Sequence, residues 1–254
     1  MKKLFLIVVF AVIMPVLLFT QVSCSAGAVN EDDSRYNYLI VGFDDASQNT
    51  DAIIIASIDV QKKRLDIIQI PRDTAYFDGH NCYKLNSVYP KKLLSGMSQT
   101  QALDYLSNEL SDAFGLKFDG YFGLTTNNLR DMVNILGGVE VTVPESFDEE
   151  LLDTLRLKRG KNLLDGDDVL RVVRHRKSYL TGDLGRIDVQ KLVLAGLIKK
   201  YSEGFDFKTA LGTAMELRGF VSDFKLCDIL NILGKSRGSF DGYSMSFSTL
   251  CGVA

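Results

Sequence analysis

The chain has 254 residues, enough for one large domain or two small ones around a buried core. Its 46% hydrophobic and 24% charged content is that of a globular protein, and a formal net charge of −3 gives no electrostatic footprint for nucleic acid, so none is expected as a partner. With two histidines, His80 and His175, and four cysteines without a CxxC pair, the composition argues against a His-rich metal site, a zinc knuckle or a CxxC redox centre.

Met1, Lys2 and Lys3 precede an uncharged apolar run over 4–19, and the next charge is Glu31. That pattern marks residues 1–28 as a secretory signal or membrane anchor. Three outcomes compete. Ala26-Gly27-Ala28 suits ordinary signal cleavage, Val22-Ser23-Cys24 faintly resembles a lipoprotein site, and an uncleaved 4–22 nears the ~20 residues that span a bilayer. All three deliver the rest outside the cytoplasm, and membrane attachment ranks above free secretion.

Residues 29–36 form a polar, acidic linker, and from Asn37 onward the pattern is that of one domain, 37–254. Strands are predicted over 38–42, 52–60 and 64–70, with Gln61-Lys62-Lys63 as a hairpin turn between the last two. Ser98 caps a helix reaching Phe114, with Ala102, Leu103, Leu106, Leu110 and Phe114 on its inner face. A strand over 119–124, a helix over 126–136 and a strand over 138–143 follow, the last pair punctuated by Gly137-Gly138. The charged stretch 145–162 reads as loop with helical pieces, and 165–173 as a short helix. Residues 183–200 read as a helix burying Ile187, Leu194, Leu197 and Ile198. Two further helices, 207–217 and 224–233, and a strand over 243–247 complete a helical C-terminal extension, 201–254. The fold class is α/β: a central mixed β-sheet flanked by helices on both sides. In an oxidising compartment Cys227 and Cys251 could pair, although spacing alone does not establish a disulfide.

The chemistry concentrates in 164–190. Arg171, Arg174, His175, Arg176 and Lys177 fall within seven residues of a chain that is acidic overall, and Asp183, Gly185, Arg186 and Gln190 follow. Arg174 and Arg176, two apart, share a face if extended, and Arg186 and Gln190, four apart, share one if helical. Converging forked cations suit a phosphate or pyrophosphate. Asp44, Asp51, Asp73 and Asp183 lie near strand ends or turns, and paired carboxylates beside arginines suit magnesium bridging to phosphate. Each feature also has a bland reading. A basic run is usually a solvated face, an aspartate at a strand end is usually a turn former, and Arg72, Lys84, Asn86 and Gln190 are ordinary loop or surface residues when taken singly.

The segments also occur in a telling order: GFDD (42–45), TDAIIIASI (50–58), IPRDT (70–74), KLNSVY (84–89), LGGVEVTVP (136–144), LDGDDVLRVVRHR (164–176) and GDLGRIDVQ (182–190). This resembles the LytR-CpsA-Psr family of bacterial cell-envelope proteins over about 37–200. The resemblance implies a magnesium-dependent phosphotransferase moving a teichoic acid or capsular polysaccharide from an undecaprenyl pyrophosphate carrier to peptidoglycan. By position it implies Asp44, Asp51 and Asp183 as Mg2+ ligands. Arg72, Lys84, Arg174, Arg176, Arg186 and Gln190 would bind pyrophosphate, and Asp73 would be the general base. It further implies an apolar groove between sheet and helices for the polyprenyl tail. Asn49 and Val189 stand where the family usually has arginine, which leaves open a polyprenyl-phosphate-binding or regulatory protein with weak turnover.

Overall fold

The structure is a computed structural model that describes residues 35–44, 49–175, 183–202, 221–223 and 244–250. In chain order its elements are β1 (Arg35–Phe43), β2 (Thr50–Asp59), β3 (Arg64–Ile70), β4 (Ala75–Phe77), β5 (Cys82–Lys84), a 3-10 turn (Leu85–Ser87), α1 (Val88–Leu94), α2 (Gln99–Phe114), β6 (Gly120–Thr125), α3 (Thr126–Ile135), β7 (Val139–Val143), α4 (Glu149–Leu155), β8 (Gly160–Leu164), α5 (Gly166–Arg174), α6 (Asp183–Ser202), β9 (Val221–Ser222) and β10 (Ser244–Thr249).

Alternation in β1 sets the layering. Tyr38 and Ile40 face one way, Leu39, Val41 and Phe43 the other, and both sets are apolar. A strand apolar on both faces requires cover on both. One face packs on Leu85, Val88 and Tyr89 and on Leu103, Leu106 and Leu110 of α2. The other packs on Val133 of α3, Val169 and Val172 of α5, and Val189, Val193 and Leu197 of α6. The sheet has six strands in the order β10-β3-β2-β1-β6-β9. The pairings make β1, β3, β6 and β10 parallel to one another, with β2 and β9 running against them. The expected mixed α/β sandwich is therefore present, and the carboxyl ends of four strands emerge along one edge.

Close approach between layers depends on glycine at two places. A Cβ on Gly123 of β6 would come within 2.5 Å of the Phe43 ring, so only glycine lets that ring lie across β6 and stack on Tyr89 at 4.5 Å between centroids. A Cβ on Gly196 would meet the Glu140 carbonyl at 2.6 Å, so glycine lets α6 settle onto β7.

Several sequence expectations change. The strand over 138–143 exists as β7 but lies outside the central sheet, pairing with β8 in a separate two-stranded sheet. Only one of its faces, Val139, Val141 and Val143, is apolar, so cover on one side suffices. β8 falls in the stretch read as loop, because Gly160, Lys161 and Asn162 carry no apolar signal. The hairpin β4–β5 and helix α1 were also not foreseen. Within α6 Leu197 is buried as expected, joined by Val189 and Val193, whereas Leu194 is only partly covered and the side chains of Ile187 and Ile198 lie outside the described residues. The C-terminal stretch is more than an appendage, since β9 and β10 supply both edges of the central sheet. The apolar N-terminus, Cys24, Cys227, Cys251 and the two expected helices at 207–217 and 224–233 lie outside the described residues. Among those described, no helix is long and apolar enough to cross a membrane.

Candidate functional site

The residues singled out in the sequence gather where the parallel strands end. β1 runs through Phe43 to Asp44, and Phe43 pairs with Thr50, which brings Asp44 and Asp51 to the mouth of the β1–β2 pair. The Asp44 N–H donates to the Asn49 carbonyl at 3.0 Å, closing the loop between them. On the neighbouring strand, β3 ends at Ile70 and Pro71 stops the ladder. Arg72 follows, and its Nη1 donates to Asp51 Oδ1 at 2.7 Å, with the two side chains only 19% and 20% exposed. Lys84 Nζ lies 3.1 Å from Asp73 Oδ2, and Arg72 Nε lies 3.8 Å from Asp73 Oδ1. Asp51, Arg72, Asp73 and Lys84 thus form a continuous charge chain.

The backbone explains why two distant motifs are needed for that chain. Thr74 bonds back to the Pro71 carbonyl through both its N–H and its hydroxyl, making a tight turn after the strand. Leu85 N–H then donates to the Thr74 carbonyl at 2.8 Å and Asn86 N–H to the Arg72 carbonyl at 3.0 Å. The KLNSVY segment is a clamp on the PRDT turn; Asn86 contributes its backbone rather than a side-chain ligand.

The second cationic arm comes from α5. Asp165 and Asp168 form its capping box, and acidic residues at its start with Arg171 and Arg174 at its end complement the helix dipole. Arg174 Nη2 donates to Thr126 Oγ1, the first residue of α3 after β6. Arg174 is thereby held beside the amino end of α3, where partial positive charge adds to its own. Arg174 is the last helical residue, because the amphipathic pattern of α5 carries the helix that far, and His175 is extended; whether Arg174 shares a face with Arg176 lies outside the described residues. Arg171 is diverted from the site, pairing with Asp168 at 2.6 Å.

Gln190 lies on α6 and accepts a 2.6 Å hydrogen bond at Oε1 from Nε2 of Gln69 on β3. Arg176 and the side chains of Asp183 and Arg186 lie outside the described residues. Among the described residues, no three His, Cys, Asp or Glu side chains cluster as a metal-holding group. Magnesium needs only one or two carboxylates when phosphate completes its shell, and the hard oxygens of Asp44 and Asp51 on adjoining strand ends fit that requirement. Sequence reading missed Thr126 and Gln69. Thr126 was legible as a hydroxyl where a strand turns directly into a helix, and Gln69 as a polar residue inside an apolar strand run.

The LytR_cpsA_psr family pattern matches residues 19–225. The chain belongs to that family. Its relatives include the polyisoprenyl-teichoic acid–peptidoglycan teichoic acid transferase TagV of Bacillus subtilis, 29% identical over 66% of this chain and 44% of TagV. The corresponding TagU of Oceanobacillus iheyensis is 26% identical over 74% of this chain and 58% of its own. The chain thus spans about half the length of the curated relatives it matches. Among solved structures, B. subtilis TagV superposes with a TM-score of 0.65 at 23% identity, covering 87% of this chain and 85% of that one. TagT bound to LI-WTA gives 0.66 at 19%, covering 89% and 81%. These establish a shared LytR-CpsA-Psr fold.

Proposed function

We propose that this protein is an extracytoplasmic, membrane-attached phosphotransferase that moves a glycopolymer from a polyprenyl pyrophosphate carrier to a cell-wall acceptor such as peptidoglycan, with Mg2+. Family membership and relatives named as teichoic acid transferases support the reaction class. The observation that carries it is the convergence of Asp51–Arg72–Asp73–Lys84 with Arg174–Thr126 at one sheet edge.

Displacement at phosphorus is governed by charge neutralisation and alignment rather than by a side-chain nucleophile. Arg72 and Arg174 offer forked donors from two layers, and Arg176 and Arg186 join them by motif position. Asp51 accepts from Arg72 Nη1, so a phosphate competes with Asp51 for that end of the guanidinium. Asp44 and Asp51, joined by Asp183 by motif position, would hold Mg2+, which would supply positive charge toward the phosphoryl oxygens. Asp73 accepts the proton of the acceptor hydroxyl, and Lys84 holds its carboxylate in place. The apolar stretch 4–22 supports a reaction at a membrane surface, where the polyprenyl tail would lie in an apolar groove between sheet and helices.

The purified domain, given a polyprenyl pyrophosphate-linked glycan and a peptidoglycan acceptor, is expected to transfer glycan with Mg2+ and to stop when the metal is chelated. Metal-independent transfer would remove Mg2+ from the reading. Tight lipid binding without any transfer would favour a carrier-binding role.

A further inference from the structure

Gln69 has an unusual position for its chemistry. It sits in β3 between Ile68 and Ile70, only 4% exposed, on the sheet face covered by α5 and α6. A buried amide is costly unless hydrogen-bonded. Its Nε2 donates to Gln190 Oε1 at 2.6 Å, a contact between residues 121 apart in sequence. The same strand delivers Arg72 three residues later, so one strand both carries a cation of the site and grips α6.

The helix geometry gives that grip a direction. Positions 183, 186 and 190 are spaced three and four apart, placing them on one face of the α6 backbone. Gln190 turns that face toward β3. The start of α6 is separated from Arg174, at the strand ends, only by 175–182. Beyond Gln69 toward the strand ends, the same sheet face carries the small residues Ala52 and Gly42, and Asp44 follows two positions after Gly42.

An amide has two unlike ends, one donor and one acceptor, and only the donor end suits an anion. With Oε1 of Gln190 committed to Gln69, its NH2 group is the end left to face elsewhere, and Gln190 is half-exposed. We propose that Gln69 is a positioning residue for the phosphate site: its amide fixes the orientation of Gln190 so that Gln190 presents N–H donors to the anionic substrate. This rests on the pyrophosphate reading above.

The test measures inorganic pyrophosphate binding in the presence of Mg2+ by calorimetry, alongside thermal unfolding, for the wild-type chain, Gln69→Met, Gln190→Met and the double variant. Methionine keeps the volume and removes the amide. Each single variant is expected to bind about tenfold more weakly, as for loss of one charge-assisted hydrogen bond. The double variant should be no weaker than either single, because Gln69 acts only through Gln190. Gln69→Glu, isosteric but an acceptor only, forces Gln190 to reverse and should also weaken binding; it carries the test if Gln69→Met does not fold. Wild-type affinity in the Gln69 variants, or additive losses in the double, would overturn the proposal while leaving the pyrophosphate reading intact. A wild-type chain that binds no pyrophosphate would overturn both.

Discussion

The two ends of the central sheet are built from the same residue types and do different things. At the end away from the site, Asp59 accepts the Lys62 N–H at 2.8 Å and lies 3.8 Å from both the Arg35 and Lys62 cations. Arg64 pairs with Asp66 two residues on, at 2.7 Å. These contacts are mostly local and tie off the β2–β3 hairpin. At the carboxyl end the partners are 21 residues apart for Arg72 and Asp51, and 48 for Arg174 and Thr126. An Arg–Asp pair by itself therefore says nothing about function. Cations brought from separate layers to strand ends, beside the amino end of a helix, are what distinguish a site from a turn.

That contrast can be broken by mutation. The largest effect is expected for Arg72→Ala, which removes a forked donor and leaves Asp51 without its guanidinium: transfer should fall about 100-fold with folding retained, read by turnover and circular dichroism together. Thr126→Val keeps the shape of the α3 start but removes the hydroxyl that accepts from Arg174 Nη2, and should reduce turnover by about tenfold at most, with KM rising more than kcat falls. At the opposite end Asp59→Ala should lower stability by about 1 kcal/mol in a denaturant titration while turnover stays within about twofold of wild type. Transfer lost in Asp59→Ala as severely as in Arg72→Ala would erase the distinction between the two ends.

The smallest effect concerns pH. Burial works to raise the Asp66 carboxyl, but hydrogen bonds from the Ser246 hydroxyl and the Arg64 guanidinium outweigh it and hold the group below its ordinary 3.8. A depressed carboxylate contributes stability that is present above its unfolded value and lost as pH falls through the folded one. Since Ser246 lies on the edge strand β10, acidification below about pH 4 should loosen β10, seen as faster amide exchange there. Ser246→Ala should diminish that acid sensitivity, because the folded carboxyl then returns toward its ordinary value.

Much of this was legible along the chain. Ser98 announced α2, and the capping box with Gln101 is present. The run 64–70 is β3 as read, because alternation and the following Pro71 are local signals. The order of motifs was enough to nominate Asp51, Arg72, Asp73 and Lys84, which the fold brings into contact. Less visible were the elements with weak local signatures. β8 lacks apolar alternation, and the clamp of Leu85 and Asn86 on the PRDT turn is made by backbone atoms, which every residue type shares.

Sequence alone determined which groups could carry charge, where strands and helices begin, and which family the pattern resembles, since these depend on side-chain chemistry and short-range spacing. Tertiary structure alone decided which of several equivalent cations meet. Arg171 is spent on Asp168 within its own helix, whereas Arg174, three residues later and almost one turn around, reaches Thr126. The same holds for Gln69 and Gln190, whose contact depends on how α6 lies across the sheet. Helix phase and layer packing are properties of the whole chain, because the apolar stripe of each element fixes its rotation only against the partner it buries.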